Sequence, residues 1–368
     1  MNVTLFRAAL SLTLGCAAAT TAAATSTCLC GSIVYSHQQF NADGTLRGTS
    51  LSMTTPGGGN NALTTDMDGV VDDSASWSPD GTRVAFEHRS AASLATRLSD
   101  IYTLDTRTHR TSKITYGPGN LVKPAWGPRN QIAFVSQYRT HDCLSLVDAK
   151  GIQHELYCPP SPAKLMRPVW STDGNSLYVQ AGYDMGGINN FWRSLAYRID
   201  ATTGAPFVLD NRVFEGPQHL EFAPDGNHGI YSNAYPYAAE MTLVDFATRH
   251  PRSVGNGYAP RWSKDGLRIA YTGEVYELTN PVRYYEPLYV MDADGENSRR
   301  VTAARTNNHA YTAADWSKDN VHLLANRRVY TDPGLTVAEY SMRIINVDTG
   351  GLRSLPSGVA DSGAWFEH

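Results

Sequence analysis

One phrase returns along the whole chain. Residues 75–86 read ASWSPDGTRVAF, and the pattern recurs as PAWGPRNQIAFV, PVWSTDGNSLYV, LEFAPDGNHGIY, PRWSKDGLRIAY and ADWSKDNVHLLA. Its aromatic anchors are Trp77, Trp126, Trp170, Phe222, Trp262 and Trp316, and Trp365 in GAWFEH stands near the end. Successive anchors lie roughly 40–54 residues apart, a period that suits a repeated supersecondary unit. Each copy has the same local chemistry. A short strand ends in the aromatic residue. Ser-Pro-Asp-Gly or Ser-Lys-Asp-Gly then makes a tight turn, where Pro sets φ and Gly supplies positive φ. An apolar run such as RVAF or RIAY opens the next strand.

A third strand follows in each unit, as in DIYTLD, PLYVMDADG and MRIINVDTG, and a short fourth one near SKITYG and RRVTA. Four antiparallel strands per unit, each unit burying a face against the next, predict an all-β fold: a β-propeller. The tryptophans are then packing residues between blades. At the N-terminus, 31–38, 49–55 and 61–65 read as three strands with no tryptophan strand before them, while Trp365 has no strand after it. Joining the two ends completes one blade. This predicts seven four-stranded blades closed by pairing of N- and C-terminal strands, with six blades as the alternative, and one domain over 25–368.

Residues 1–24 read as a signal peptide: Arg7, a small apolar stretch over 8–19, and Ala22-Ala23-Ala24 as a cleavage site. The stretch is too short for a transmembrane segment. A lipid anchor at Cys16 is the rival reading. Export to the periplasm or beyond leaves Cys28, Cys30, Cys143 and Cys158 in an oxidising compartment. Cys143 and Cys158 flank the DAKG turn, which predicts a disulfide between them. Cys28 and Cys30 pair with each other, stay free, or tether the N-terminal tail. A formal charge of −4 with no basic run excludes nucleic acid as the main partner.

At W-S-P-D-G followed by an I-A-F or L-Y-V strand, as in 77–86 and 262–271, the chain resembles the TolB-like, WD40-like propeller family. The resemblance covers nearly the whole mature chain and speaks to fold more than to function. TolB itself carries a preceding α/β domain and a six-bladed propeller, features this sequence does not repeat. Prolyl-oligopeptidase relatives add a hydrolase domain, and no G-x-S-x-G elbow occurs here. Oligogalacturonate lyases resemble a seven-bladed propeller of this type and bind a metal through histidines over the channel.

Residues just before each anchor are expected at the channel mouth: Asp73, Lys123, Arg167, His219, Tyr258, Thr312 and Asp361, with His309 nearby. Such a ring suits acid–base work or a pore closed by internal ion pairs. Long loops after the second strands carry Tyr183, Trp192, Arg193, Tyr235, Tyr276, Arg283, Tyr284, Tyr285 and Tyr330. Those residue types stack sugars, anchor a protein or peptide partner, or pack on one another. DMDGVVDD at 66–73 is partly like a calcium loop but lacks the closing Glu. No metal or other cofactor is expected. The expectation is an exported, monomeric, non-catalytic propeller that binds an envelope or extracellular protein, peptide or glycan, with a lyase-like polysaccharide enzyme as the alternative.

Overall fold

The computed structural model describes residues 31–367 apart from 42–44, 92–97, 161, 187–190, 234–239, 274, 278–282, 303–308, 331–336, 357 and 360–363. The targeting segment 1–24 with Cys16, the pair Cys28 and Cys30, Tyr235 and Asp361 lie outside the described residues. Regular structure among the described residues is all strand. No helix there is long and apolar enough to cross a membrane.

The first tryptophan opens a complete unit: Val71–Trp77, Arg83–Arg89, Asp100–Asp105 and Thr111–Lys113 pair antiparallel in chain order. Asn120–Trp126, Ile132–Gln137, Asp142–Val147 and Gln153–Tyr157 repeat it. Further sheets of this kind begin at Lys164, Gln218, Tyr258 and His309. The remaining strands, Ser32–Phe40, Leu46–Thr55 and Gly58–Ala62, are completed from the far end of the chain. Trp365 pairs with Ile33 and Phe366 with Ser32. The third N-terminal strand, Gly58–Ala62, lies earlier than 61–65, because Met53 and Ser52 take Asn61 and Ala62 as partners and the pairing ends there.

The core lies between sheets. Each large cluster of buried side chains bridges two consecutive sheets or, between the N-terminal strands and the first tryptophan unit, the two parts of one eight-stranded sheet joined at Thr49 and Val71. Ala85 and Ile101 meet Leu121 and Phe134; Val135 and Leu144 meet Leu177 and Val179. Tyr178 meets Phe222 and Val244; Ile230 and Met241 meet Trp262 and Ile269. Leu288 and Val290 meet Trp316 and Leu323; Leu324 and Ile344 meet Ile33 and Trp365; Val34 and Leu51 meet Trp77 and Val84. The last of these returns to the first blade. Middle strands such as Asp142–Val147 are buried throughout, whereas the fourth strand Thr111–Lys113 is exposed. This is a set of propeller blades, each too thin to have a core of its own.

The recurring tryptophan has a second job besides burial. Trp170 Nε1 donates to the Ala125 carbonyl (2.9 Å), Trp316 to Arg261 (3.1 Å) and Trp77 to Ala364 (2.9 Å). In each case the acceptor is the residue just before the preceding blade's anchor. The indole therefore satisfies a backbone carbonyl across the blade junction. Trp126 departs from the pattern, donating to Asn130 of its own turn while the Arg83 guanidinium stacks on its ring at 5.0 Å.

The turn that follows is held by its own side chains. Ser78 Oγ donates to Asp80 Oδ1 (2.6 Å), and the Thr82 amide donates to the same oxygen (3.1 Å). Ser78 and Thr82 hold the Asp80 carboxyl down at about 2. Gly81 has φ 67°, and a Cβ there would lie 2.1 Å from the Phe366 ring. The glycine is required both by the turn and by the strand that joins the two ends of the chain.

The Cys143–Cys158 disulfide is formed, with Cα atoms 4.3 Å apart at the end of one hairpin.

Candidate functional site

In four units the first strand does not run straight to its anchor, whereas Gln218–Phe222 pairs without interruption. Register shifts occur between Asp73 and Ser76, Val122 and Ala125, Tyr258 and Arg261, and Ala313 and Asp315. Ser74, Lys123 and Ala259 accordingly have positive φ of 56°, 58° and 49°. These are β-bulges at one repeated place, three residues before the tryptophan. A bulge bends its strand and re-aims the neighbouring side chains.

The side chains before the anchors meet across the fold. Lys123 and His219 interact electrostatically although their strands belong to sheets two units apart. The same holds for Arg167 with Glu87 and for Glu221 with Asp315. These inner strands approach one another, and Asp73, Lys123, Arg167 and His219 lie along them. Glu87, Glu221, Arg261 and Asp315 join them.

The axial charges are largely engaged. Glu221 pairs with Arg261. Lys264 lies 3.6 Å from Asp315, whose other carboxylate oxygen accepts from the Trp365 amide (3.0 Å). Lys123 Nζ donates to the Leu165 carbonyl (2.8 Å), and Ser36 donates to Asp73 (2.6 Å). Burial raises the Glu87 and Glu221 carboxyls and lowers the Lys123 ammonium, each against opposing pulls from neighbouring charges. His219 is pushed down to about 3, first by burial and then by Arg261 and Lys123. Its ring keeps some exposed surface, yet the surrounding walls make charging it costly, so it is neutral at pH 7.

Glu87 also explains how the blades hold one another near the axis. Its carboxylate accepts the Lys123 amide of the next blade (2.7 Å). Gln180 occupies the corresponding place two blades on, accepting the Leu220 amide (2.8 Å) and donating to the Gln218 carbonyl (2.8 Å). Thr272 donates to the Tyr311 carbonyl (2.8 Å). Each sits three residues beyond the partner of its anchor, on the second strand. A polar residue inside an otherwise apolar strand was the signal that aligning the copies offers for this clamp.

Tyr258 and Thr312 border a separate cavity of about 390 Å³, together with Asn326, Arg328 and Tyr340. Arg328 pairs with the buried Glu286 at 3.0 Å and lies 5.9 Å over the Tyr330 ring. The Tyr258 hydroxyl is buried beside Glu286 without a well-formed hydrogen bond, and both burial and that carboxylate raise its pKa. His309 stands on this side too, with Nε2 2.8 Å from Arg327 and its ring edge-on to Tyr311.

The aromatic segments read as long loops are largely strands. Ser176–Gly186 and Phe191–Asp200 pair out to Gly186 and Phe191, and Pro206–Glu215 continues the sheet beside them. This hairpin extension carries Tyr183, Trp192 and Arg193. Tyr183 is half-buried against Tyr197, their hydroxyls 3.5 Å apart, and Arg193 Nε donates to Asn211 (2.8 Å). Tyr276 pairs with Tyr284, and Arg283 with Glu277, in a small hairpin that also contains the buried Tyr285. Tyr330 ends the long strand His322–Tyr330 and is buried. The segments remain strands because a partner strand is present to receive their backbone hydrogen bonds.

The acidic stretch 66–73 does not form a single cluster. Asp66 accepts from Ser50, Asp68 meets Arg47, Asp72 meets His88 and Asp73 meets Ser36. His228 and His322 each open the second strand of their unit, 2.8 Å from the aspartate three places earlier in the turn.

The structure is similar to an oligogalacturonate lyase solved in complex with manganese, at TM-score 0.59 and 16% identity over 90% of this chain and 86% of that one. The propeller domain of the Trilobed protease from Pyrococcus furiosus aligns at TM-score 0.57 and 12% identity, over 88% of this chain and 92% of that one. The fold is a β-propeller. TolB from Acinetobacter baumannii aligns over 90% of this chain and 82% of its own at 15% identity and TM-score 0.49. No protein-family model and no curated protein matches the sequence. At these identities the likeness concerns the fold alone.

Proposed function

We propose that this chain is an exported, seven-bladed binding propeller. It engages a protein, peptide or glycan at the mouth bordered by Tyr258, Asn326, Arg328 and Tyr340. The carrying observation is the contrast between the axis and the mouth. At the axis, carboxylates and cations are turned toward each other and toward backbone groups, as in Glu221–Arg261 and Lys123–Leu165. At the mouth, tyrosines and an arginine surround open volume, the composition that anchors partners. The bridging clusters and the Ile33–Trp365 pairing support a count of seven blades and closure by the two chain ends. The formed disulfide supports an oxidising compartment.

A second reading is an acidic-polysaccharide lyase. It is favoured by a neutral histidine next to cations on the axis, since proton abstraction beside a uronate carboxylate needs a base and a positive charge. Metal analysis of purified protein with a screen on oligogalacturonate separates the two. The binding reading expects no unsaturated product. Bound metal together with unsaturated product, both lost in His219→Ala, overturns it.

A further inference from the structure

A second cavity, about 650 Å³, lies between the N-terminal strands and the first blade and shares no lining residue with the mouth. Its walls include Asp66, Asp72, His88, Tyr102 and Thr111, with the exposed Met67 at its edge. Among the described residues no lysine or arginine lines it. Asp72 and His88 face each other across paired strands, with Nδ1 2.6 Å from a carboxylate that is 4% exposed. The Tyr102 ring stands 4.6 Å from the imidazole. The corresponding residues of the next blade are Leu121 and Ser136, so the repeat itself does not require this pair.

The chemistry of the walls selects a ligand class. The Asp72 carboxylate can only accept, so in neutral His88 the proton sits on Nδ1 and Nε2 keeps its lone pair. Nε2, the Asp66 carboxylate and the threonine hydroxyls make a wall rich in acceptors. Anions meet two carboxylates, and although His88 and His109 line the wall no lysine or arginine is there to offset them. A wholly apolar ligand leaves the polar wall desolvated and unpaired. A donor-rich ligand with an apolar face satisfies both the acceptors and the Tyr102 ring. We infer that this cavity is a binding site for a neutral sugar, a monosaccharide or disaccharide, held by hydroxyl donation to His88 and Asp66 and by its C–H face against Tyr102. The volume suits a ligand of that size.

Saturation-transfer NMR and calorimetry with glucose, galactose, maltose and cellobiose test this, with galacturonate and glucosamine as charged controls. Saturable binding of at least one neutral sugar is expected. Affinity should fall at least about tenfold in His88→Gln and in the exposed Asp66→Asn, each lost hydrogen bond being worth about a factor of ten. Lys150→Ala, in an exposed turn, should leave it unchanged, and Arg328→Ala serves to detect binding at the mouth instead. Thr111→Trp, at an exposed rim position, should block the cavity without disturbing the core. The inference is overturned if none of the neutral sugars saturates the wild-type protein, if glucosamine or galacturonate binds more tightly than every neutral sugar, or if the Arg328 variant loses binding while Asp66→Asn and Thr111→Trp keep it.

Discussion

Single residues carry much of the physical argument. His219 is held neutral by burial and by Arg261 and Lys123. A folded pKa below the unfolded one means the native state binds fewer protons, so this contribution to stability is complete above about 6.5 and is lost as pH falls toward about 3. Imidazole resonances followed by NMR should show His219 untitrated at pH 5, and His219→Gln should flatten the fall in stability over that window. A titration near 6.5 would remove the enclosed axis from the account. Gly81 makes a sharper steric claim. Alanine there meets both a positive φ and the Phe366 ring, so Gly81→Ala should cost about 2 kcal/mol or more in urea unfolding, whereas alanine at Gly151, with open space around it, should cost only the turn strain of about 1 kcal/mol.

At the scale of elements, the tight turns and anchors were legible because every copy spells them out within a dozen residues. The bulges at Ser74, Lys123 and Ala259 were not, since nothing in SAS, LVKP or GYAP marks a positive φ for a residue other than glycine or asparagine. They follow from convergence of strands that are distant in sequence. The clamp residues Glu87, Gln180 and Thr272 have the same origin, and only their shared offset from the anchors betrays them. The segment around Tyr183 and Trp192 reads as a loop in sequence because GGINN at 186–190 breaks the strand pattern, while the strand Pro206–Glu215 that stabilises its flank lies downstream. The inter-blade indole bond is the element-level feature most open to test. Trp170→Phe keeps the ring but leaves the Ala125 carbonyl unpaired at a blade junction. The expected loss is about 2 kcal/mol by urea denaturation. Trp126→Phe, whose indole bond stays within its own turn, should lose less.

For the whole molecule, the ends matter most. The strand Trp365–Phe366 pairs with Ser32–Phe40, and the Trp77 indole bonds to Ala364, so residues from both ends of the described chain share one sheet and one core cluster. This pairing closes one blade and covers an edge of the Ser32–Phe40 strand that would otherwise be exposed. The Trilobed protease propeller, by contrast, is described as having an open velcro topology. The Cys143–Cys158 bridge closes a short loop within one blade and leaves that closure untouched. Its 15-residue separation predicts about 3 kcal/mol of stabilisation on loop-entropy grounds. Comparing oxidised protein with a Cys143→Ser/Cys158→Ser variant in urea should show this with little change in the shape of the transition.

On the proposed function, partners are expected at the mouth rather than at the face of tight turns. A photo-crosslinking amino acid placed at Tyr340, beside Arg328 and Asn326, tests it against the same group at Asp294 in an exposed turn. In the protein's native host, a discrete, saturable adduct is expected from position 340, abolished by Arg328→Ala, and none from position 294. Equal adducts from both positions, or adducts from 294 alone, would contradict it.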